Sequence, residues 1–211
     1  MLRVCLPAGM QASLEGWAFS SLGVMMGMLG ELELAAHGIA INLITTMFMF
    51  PFGMGAAAAT RVGNLVGAGQ EWKRAAWLAI AFSAGWMSLS ATIFLLTSDQ
   101  IASIFIQDAA VIAMVGVLMP VAAAFQIFDG VQAAGFGVLR GAGDTRLPAV
   151  VNMLGYWMIG IPLGYWFGVV VYDDPRFVWG GVAIALAIIS TLIVARVAWV
   201  IRRGATLIER D

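Results

Sequence analysis

Charged side chains are scarce in this chain, and their scarcity excludes a water-soluble fold. Only 11% of the 211 residues are charged, whereas 62% are hydrophobic, and the mean hydropathy is +0.94. A soluble domain of this length cannot bury so much apolar sequence and still present a polar surface. The composition therefore predicts an all-α membrane protein whose long apolar runs cross a lipid bilayer.

Cysteine and histidine are also nearly absent, with one residue of each. A single cysteine, Cys5, excludes an intramolecular disulfide and any CxxC metal site. The chain has no HExxH motif and no GxSxG motif with suitable partners, and its glycine-rich stretch at 60–70 matches neither GxxxxGK[ST] nor GxGxxG. We therefore expect no enzyme activity, no cofactor and no nucleic-acid partner.

Six apolar runs are long enough to span the hydrocarbon core of a membrane, which takes about 20 helical residues. They predict one six-helix transmembrane lobe over residues 1–211, with helices at about 6–28, 35–60, 74–97, 110–139, 148–171 and 178–200. A short outer helix at 100–106 is predicted between the third and fourth spans. The lipid bilayer is the first partner that these runs imply.

The basic residues predict how the lobe is oriented. If the N-terminus is cytoplasmic, the outside loops contain only Arg176, and ten basic residues lie inside: Arg3, Arg61, Lys73, Arg74, Arg140, Arg146, Arg196, Arg202, Arg203 and Arg210. Basic residues concentrate on the cytoplasmic side of membrane proteins. We therefore expect a multi-pass protein of a bacterial-type inner membrane with both ends of this chain in the cytoplasm.

Two acids lie inside predicted spans, Glu15 in the first and Asp129 in the fourth. A carboxylate inside a membrane is costly, so such acids usually face a bundle interior or a hydrated cavity and belong to ion or substrate paths. Gln11 precedes Glu15 by four residues, and Gln126 and Gln132 flank Asp129 at three residues on either side, which predicts a polar seam. We therefore predict that these residues line a cavity, with Glu15 and Asp129 binding the cation or substrate.

Proline lies inside two spans and could bend both helices. Pro51 and Pro120 each remove one backbone hydrogen bond and crowd the preceding turn. A bend of this kind can act as a hinge or can be static geometry. Both prolines are hinge candidates.

Five local strings, in order along the chain, resemble the C-terminal half of the multidrug and toxic compound extrusion (MATE) family. They are FMFPFG at 48–53, TRVGNLVGAG at 60–69, QIFDGVQ at 126–132, LRGAGD at 139–144 and GIPLGY at 160–165. The resemblance implies one lobe, helices seven to twelve, of a twelve-helix transporter built from two six-helix lobes around a central cleft. It also implies a second lobe as a partner, which we expect to be the N-terminal half of the same protein.

The resemblance further implies a secondary antiporter that exports organic cations or drugs in exchange for H⁺ or Na⁺ by alternating access. In the Na⁺-coupled branch a glutamate and an aspartate form the cation site, and these fall on Glu15 and Asp129, which makes the pair a candidate Na⁺ site. That branch has a tyrosine one turn before the aspartate, where this chain has Phe125. Phe125 is therefore a further cavity-lining candidate, and the choice between H⁺ and Na⁺ stays open.

Two other functions fit a membrane lobe of this kind. A lipid-linked oligosaccharide flippase of the same superfamily would need several basic residues in its cavity to hold pyrophosphate, and none of the spans has one at mid-depth. A non-transporting membrane subunit or channel piece would leave Glu15 and Asp129 unpaired or facing elsewhere.

Overall fold

The described part of the chain, residues 2–203, forms six long helices. A computed structural model describes residues 2–203, and the side chains of residues 9–203. The helices are α1 (Leu2–Leu29), α2 (Glu31–Gly67), α3 (Lys73–Phe105), α4 (Ala109–Gly141), α5 (Arg146–Val171) and α6 (Pro175–Arg203). Of the residues used to predict the orientation, Arg210 lies outside the described part, as does the side chain of Arg3.

Five of the helices, α2 to α6, are long and apolar enough to cross a membrane by length and composition. The first helix, with 28 residues, is of similar length to the last and contains Gln11 and Glu15. The chain is an all-α membrane protein, and α1 is the helix whose polar residues need partners inside the bundle.

The centre of the lobe is the contact between α2 and α4, whose backbones touch. A Cβ atom on Gly137 would overlap the backbone of Gly55, and one on Gly141 would come within 2.6 Å of the Ala59 carbonyl oxygen. Small residues allow membrane helices to approach this closely. A Cβ atom on Gly63 would lie 3.6 Å from the Gly141 carbonyl oxygen, so Gly63 also belongs to this contact. No atom lies within 4 Å of a Cβ atom placed on Gly67.

Helices α2 and α4 end in the same way, at similar strings LVGAGQ and LRGAGD. Gly69 and Gly143 have positive φ values of 65° and 84°, and the residues that follow them donate to carbonyl oxygens of the last turn, Gln70 to Leu65 and Asp144 to Leu139, both at 2.8 Å. This bonding ends a helix sharply where glycine can adopt the left-handed conformation. Both helices therefore stop at the same side of the lobe.

Two helices differ from their predicted form. Helix α2 continues to Gly67, because the glycine-rich stretch after Thr60 packs on α4 instead of leaving as a loop. The predicted outer helix at 100–106 is the end of α3, which runs to Phe105 past a break at Thr97 (φ −131°, ψ 22°). The helical backbone continues through Pro51 in α2 and Pro120 in α4, and whether either acts as a hinge stays a prediction.

Helix α5 has wide turns over much of its length. Its backbone bonds follow the π-helical i→i+5 pattern over Gly155–Gly160 and Gly164–Val171, and Pro162, which has no N–H to donate, lies between them. Glycines of this part lie against α6, where a Cβ on Gly164 would be 2.8 Å from the Val178 oxygen. π-Helical turns are rare in proteins, and those that occur are often found at functional sites.

The end of α6 is tied to the loop between α4 and α5. Arg196 Nε donates to Asp144 Oδ2 at 2.7 Å, and the guanidinium groups of Arg196 and Arg203 lie over the ring of Trp199 at 4.3 and 4.7 Å. Arg196 therefore pairs inside the lobe instead of extending freely to the membrane surface.

We predict that Gly137→Ala lowers the stability of the lobe by about 1–3 kcal/mol, since the added methyl group overlaps the Gly55 backbone and forces the helices apart. Thermal unfolding of the intact protein in detergent measures the effect. Gly53→Ala, on α2 where no atom lies within 4 Å of the added carbon, is the matched control and should unfold at the wild-type temperature or above it. Equal unfolding temperatures for both variants would contradict the direct backbone contact.

Candidate cation and substrate site

A cavity of about 420 Å³ lies between α1, α2 and α4. This volume is in the range of small-molecule sites, which are mostly apolar with a few placed polar groups. Apolar and aromatic side chains of α2 form one wall, among them Ile44, Phe48, Met49 and Phe52. The cavity can therefore accommodate a drug-sized amphipath against an apolar surface.

Both intramembrane acids line this cavity, Glu15 from α1 and Asp129 from α4. Asp129 is 4% exposed and Glu15 is half-buried. Two carboxylates that share a cavity of low dielectric repel each other, so a cation bound between or beside them is favoured. The structure thus brings together two acids that were predicted from the sequence and lie more than 100 positions apart in it.

A line of side-chain amides connects α4 to Glu15 through α5. Gln132 Nε2 donates to Asn152 Oδ1 at 3.0 Å, and Asn152 Nδ2 donates to Glu15 Oε2 at 3.1 Å. Both amides are buried at 1% exposure. Two hydrogen bonds therefore join α4, α5 and α1 beside the cavity.

Helix α5 holds α1 at two neighbouring residues. Besides the bond from Asn152 to Glu15, Trp157 Nε1 donates to the Leu14 carbonyl oxygen at 3.3 Å. Helix α1 is therefore bonded to α5 next to Glu15, and one of the two bonds is made by the Glu15 carboxylate itself.

Two buried oxygen atoms beside the acids have no hydrogen-bond partner, Gln132 Oε1 and the hydroxyl of Tyr156. Tyr156 lies on α5, is 1% exposed and is close to Gln132, Glu15 and Asp129. Buried polar atoms normally have partners, and the Tyr156 hydroxyl lies close enough to Gln132 for the two side chains to bond to each other or to share a ligand. With the two carboxylates they form an oxygen-rich surrounding of the kind that hard cations prefer.

Sequence analysis did not assign a role to Asn152 or Tyr156. Both are polar residues four positions apart on one face of an apolar helix, and this spacing was the available signal. Periodicity within α5 shows that they share a face, but it does not show that this face meets Glu15.

The outcome for the other lining candidates is mixed. Gln11, Phe125 and Gln132 line the cavity. Gln126 does not; its amide is fully buried and donates to Ser90 Oγ on α3 at 3.3 Å. Gln126 and Gln132 lie about 120° apart around a helix with 3.6 residues per turn. Gln132 is on the side that lines the cavity and Gln126 is on the side that meets α3, so the prediction for Gln126 is corrected.

Phe125 belongs to a chain of aromatic rings behind the acids. Its ring is 5.8 Å from that of Phe19 and 5.7 Å from that of Trp179, both edge to face, and Phe19 is 5.9 Å from Tyr156. Phe125 has no hydroxyl to offer, and in this chain the hydroxyl near the carboxylates comes from Tyr156 on α5.

One basic residue, Arg140, also lines the cavity, at the end of α4, where its side chain is exposed. Sequence analysis placed Arg140 on the cytoplasmic side, just beyond the fourth span, and gave it no part in the site. Among the described residues, no three His, Cys, Asp or Glu side chains lie close enough together to hold a metal ion.

Residues 7–166 match the sequence profile of the MatE family. The chain belongs to the MatE family. This confirms the predicted family.

Curated MatE relatives are multidrug resistance proteins of bacteria. The chain is 40% identical over 205 residues to the probable multidrug resistance protein NorM of Xanthomonas axonopodis pv. citri, covering 96% of this chain and 45% of that protein. It is 34% identical to the multidrug resistance protein PmpM of Pseudomonas aeruginosa, covering 100% of this chain and 45% of that protein. The chain thus spans less than half the length of these relatives.

The fold matches solved MATE structures. The eukaryotic MATE transporter AtDTX14 superposes with a TM-score of 0.87 at 26% identity, and the match covers 93% of this chain and 45% of that transporter. The six helices of this chain are therefore one lobe of a MATE fold, as the sequence predicted for helices seven to twelve.

Proposed function

We propose that this lobe is part of a secondary antiporter that exports organic cations or drugs in exchange for H⁺ or Na⁺. The observation that carries the proposal is that Glu15 and Asp129 face one cavity whose opposite wall is apolar and aromatic. An amphipathic cation would place its charge near the acids and its apolar body against α2. The resistance function of the NorM and PmpM relatives supports this substrate class.

Exchange follows from competition for this negative site. A cationic substrate and a coupling ion neutralise the same pair of carboxylates, so binding of one opposes binding of the other. Exchange across the membrane also requires that occupancy changes which side is open, and a ligand can do this only through different affinities for the two states. The bond from Asn152 to Glu15 offers such a difference, because it joins the site to the position of α1.

Both coupling ions suit the geometry. A proton needs only one of the carboxylates, whereas Na⁺ needs several oxygens, and Gln132 Oε1 and the Tyr156 hydroxyl are free to supply them. Na⁺ would be held by Glu15 and Asp129 together with these two oxygens. In either case the ion is a transported substrate and no resident cofactor is required.

A second lobe is the partner that completes the site. The lining residues of α1, α2 and α4 leave Met49 and Phe52 strongly exposed, at 54% and 62%, and the MatE relatives are about twice as long as this chain. We infer that a second six-helix lobe, as in the N-terminal half of those relatives, faces these side chains across the cavity. A flippase of the same superfamily is less well supported, because among the described residues only Arg140 brings a positive charge to the lining.

We predict that Glu15→Gln and Asp129→Asn each reduce ion-driven efflux by about tenfold or more, because losing 1.4 kcal/mol of cation binding is already a factor of ten. The measurement is efflux of a fluorescent organic cation from vesicles that contain the intact transporter, driven by an imposed H⁺ or Na⁺ gradient. Glu31→Gln, at the exposed start of α2, is the matched control and should transport at the wild-type rate. Wild-type efflux rates in both Glu15→Gln and Asp129→Asn would contradict the proposal.

We predict that the loop between α2 and α3 faces the cytoplasm and the loop between α3 and α4 faces the outside, since the basic residues favour this orientation. In a Cys5→Ser background, Gln70→Cys and Gln107→Cys place one thiol in each loop, at exposed positions of the same residue type. A membrane-impermeant maleimide added to intact cells should label the Gln107 variant alone. Labelling of the Gln70 variant alone would reverse the orientation.

A further inference from the structure

Pro51 leaves one carbonyl oxygen of α2 without its usual helical partner. In an α-helix each backbone N–H donates to the carbonyl oxygen four residues earlier, and proline has no N–H to donate. The oxygen that Pro51 leaves free is that of Met47, inside a helix long and apolar enough to span the membrane. An unpaired carbonyl is costly there, and neighbouring helices are one source of a replacement donor.

Trp86 of α3 supplies this donor. Its indole Nε1 donates to the Met47 carbonyl oxygen at 3.0 Å. The indole ring also stacks on the ring of Phe50, with the ring centres 4.8 Å apart and the planes inclined by 28°. Helix α2 stays helical through Pro51. One side chain of α3 therefore holds the turn of α2 that runs from Met47 to Pro51.

The same turn carries part of the cavity wall. Phe48 and Met49 lie within it and Phe52 follows it, and all three line the cavity. The rings of Phe48 and Phe52 also lie close together, with centres 6.2 Å apart. Phe50 lies about 160° around the helix from Phe48, and neither Phe50 nor Trp86 is part of the lining. Trp86 therefore holds this wall from the side of α2 that faces away from the cavity.

We propose that Trp86 is a positioning residue for the exported cation, because its indole replaces the hydrogen bond that Pro51 removes and so fixes the wall on which the cation packs. Without the indole N–H, the Met47 oxygen finds a partner only if the turn shifts or water enters, and Phe48 and Phe52 move with the turn. The proposal rests on the proposed export of organic cations, since it concerns the wall that receives their apolar part.

The pairing of Pro51 with Trp86 allows the hydrogen bond to be separated from general packing. Trp86→Phe removes the N–H but keeps an aromatic ring beside Phe50. Pro51→Ala restores an N–H four residues after Met47, so the Met47 oxygen keeps a partner when the indole is lost. The effect of Trp86→Phe should therefore be large beside the native proline and small in the Pro51→Ala background, a coupling of the kind that double-mutant cycles measure.

The direct test is equilibrium binding of ethidium, a flat fluorescent cation, to the intact purified transporter. We expect Trp86→Phe to raise the Kd by about threefold, the factor that corresponds to one average hydrogen bond between membrane helices. The Pro51→Ala/Trp86→Phe double variant should bind as tightly as Pro51→Ala alone. The control is Trp166→Phe, which changes an exposed tryptophan of α5 outside the lining and should bind as the wild type does.

Two results of the binding test would overturn the proposal. One is an unchanged Kd in Trp86→Phe, and the other is an equal rise in Kd with and without Pro51→Ala. If Trp86→Phe does not fold, benzothienylalanine incorporated at position 86 decides the same comparison, because it has sulfur in place of the indole N–H and nearly the same shape.

Efflux from vesicles distinguishes a positioning role from a purely structural one. Trp86→Phe should raise the ethidium concentration that gives half-maximal efflux by the same factor as the Kd. The maximal rate per folded transporter and the H⁺ or Na⁺ gradient needed for half-maximal efflux should stay at their wild-type values. A lower maximal rate with an unchanged ethidium dependence would assign Trp86 a structural role only.

The outcomes separate this proposal from the exchange function. Loss of efflux in Glu15→Gln together with an unchanged ethidium Kd in Trp86→Phe removes the positioning role and leaves the function standing. Wild-type efflux in Glu15→Gln and Asp129→Asn contradicts the function, whereas the ethidium binding of the Trp86 and Pro51 variants still decides the positioning role. A wild-type protein that does not bind ethidium contradicts the role of the wall itself.

Discussion

A carboxylate that lies inside an apolar helix bundle must find its partners within the protein, and this constraint governs the lobe. Water and lipid headgroups satisfy acids at the ends of helices, but Asp129 is 4% exposed and Glu15 receives its hydrogen bond from another helix. Each acid therefore requires that particular helices meet at its depth. Asn152 of α5 serves this requirement for Glu15, and the apolar wall of α2 leaves the two acids as the main charged feature of the cavity.

Close packing of α4 against α2 at the edge of the cavity makes this arrangement possible. Gly137 lets α4 lie directly on the α2 backbone, and a central helix held so firmly presents Asp129 and Gln132 in fixed directions. Helix α1 is held by fully buried side chains such as Leu22 and Met26, and by the bonds from Asn152 and Trp157 beside its acid.

The lengths of the apolar runs and the isolated acids within them were enough to predict six helices and to select Glu15 and Asp129. A charged residue within an apolar run can be recognised from the sequence alone. Which residues share a cavity depends on how helices are rotated, and this is set by contacts between distant parts of the chain. Gln126 and Gln132 looked equivalent along the sequence but face α3 and α5. Asn152 was visible as a polar residue in an apolar helix, yet nothing in its neighbours predicted that it would meet Glu15.

The crossing of Gly55 and Gly137 has a consequence for how this lobe can evolve. Where two side chains pack, a larger residue on one helix can be offset by a smaller one on the other. At this crossing both residues already lack a side chain, and the contact is made by backbone atoms. Neither residue can therefore be replaced by a smaller one. A suppressor of a Gly137 variant would have to act from elsewhere, by shifting a whole helix, which would also shift Asp129.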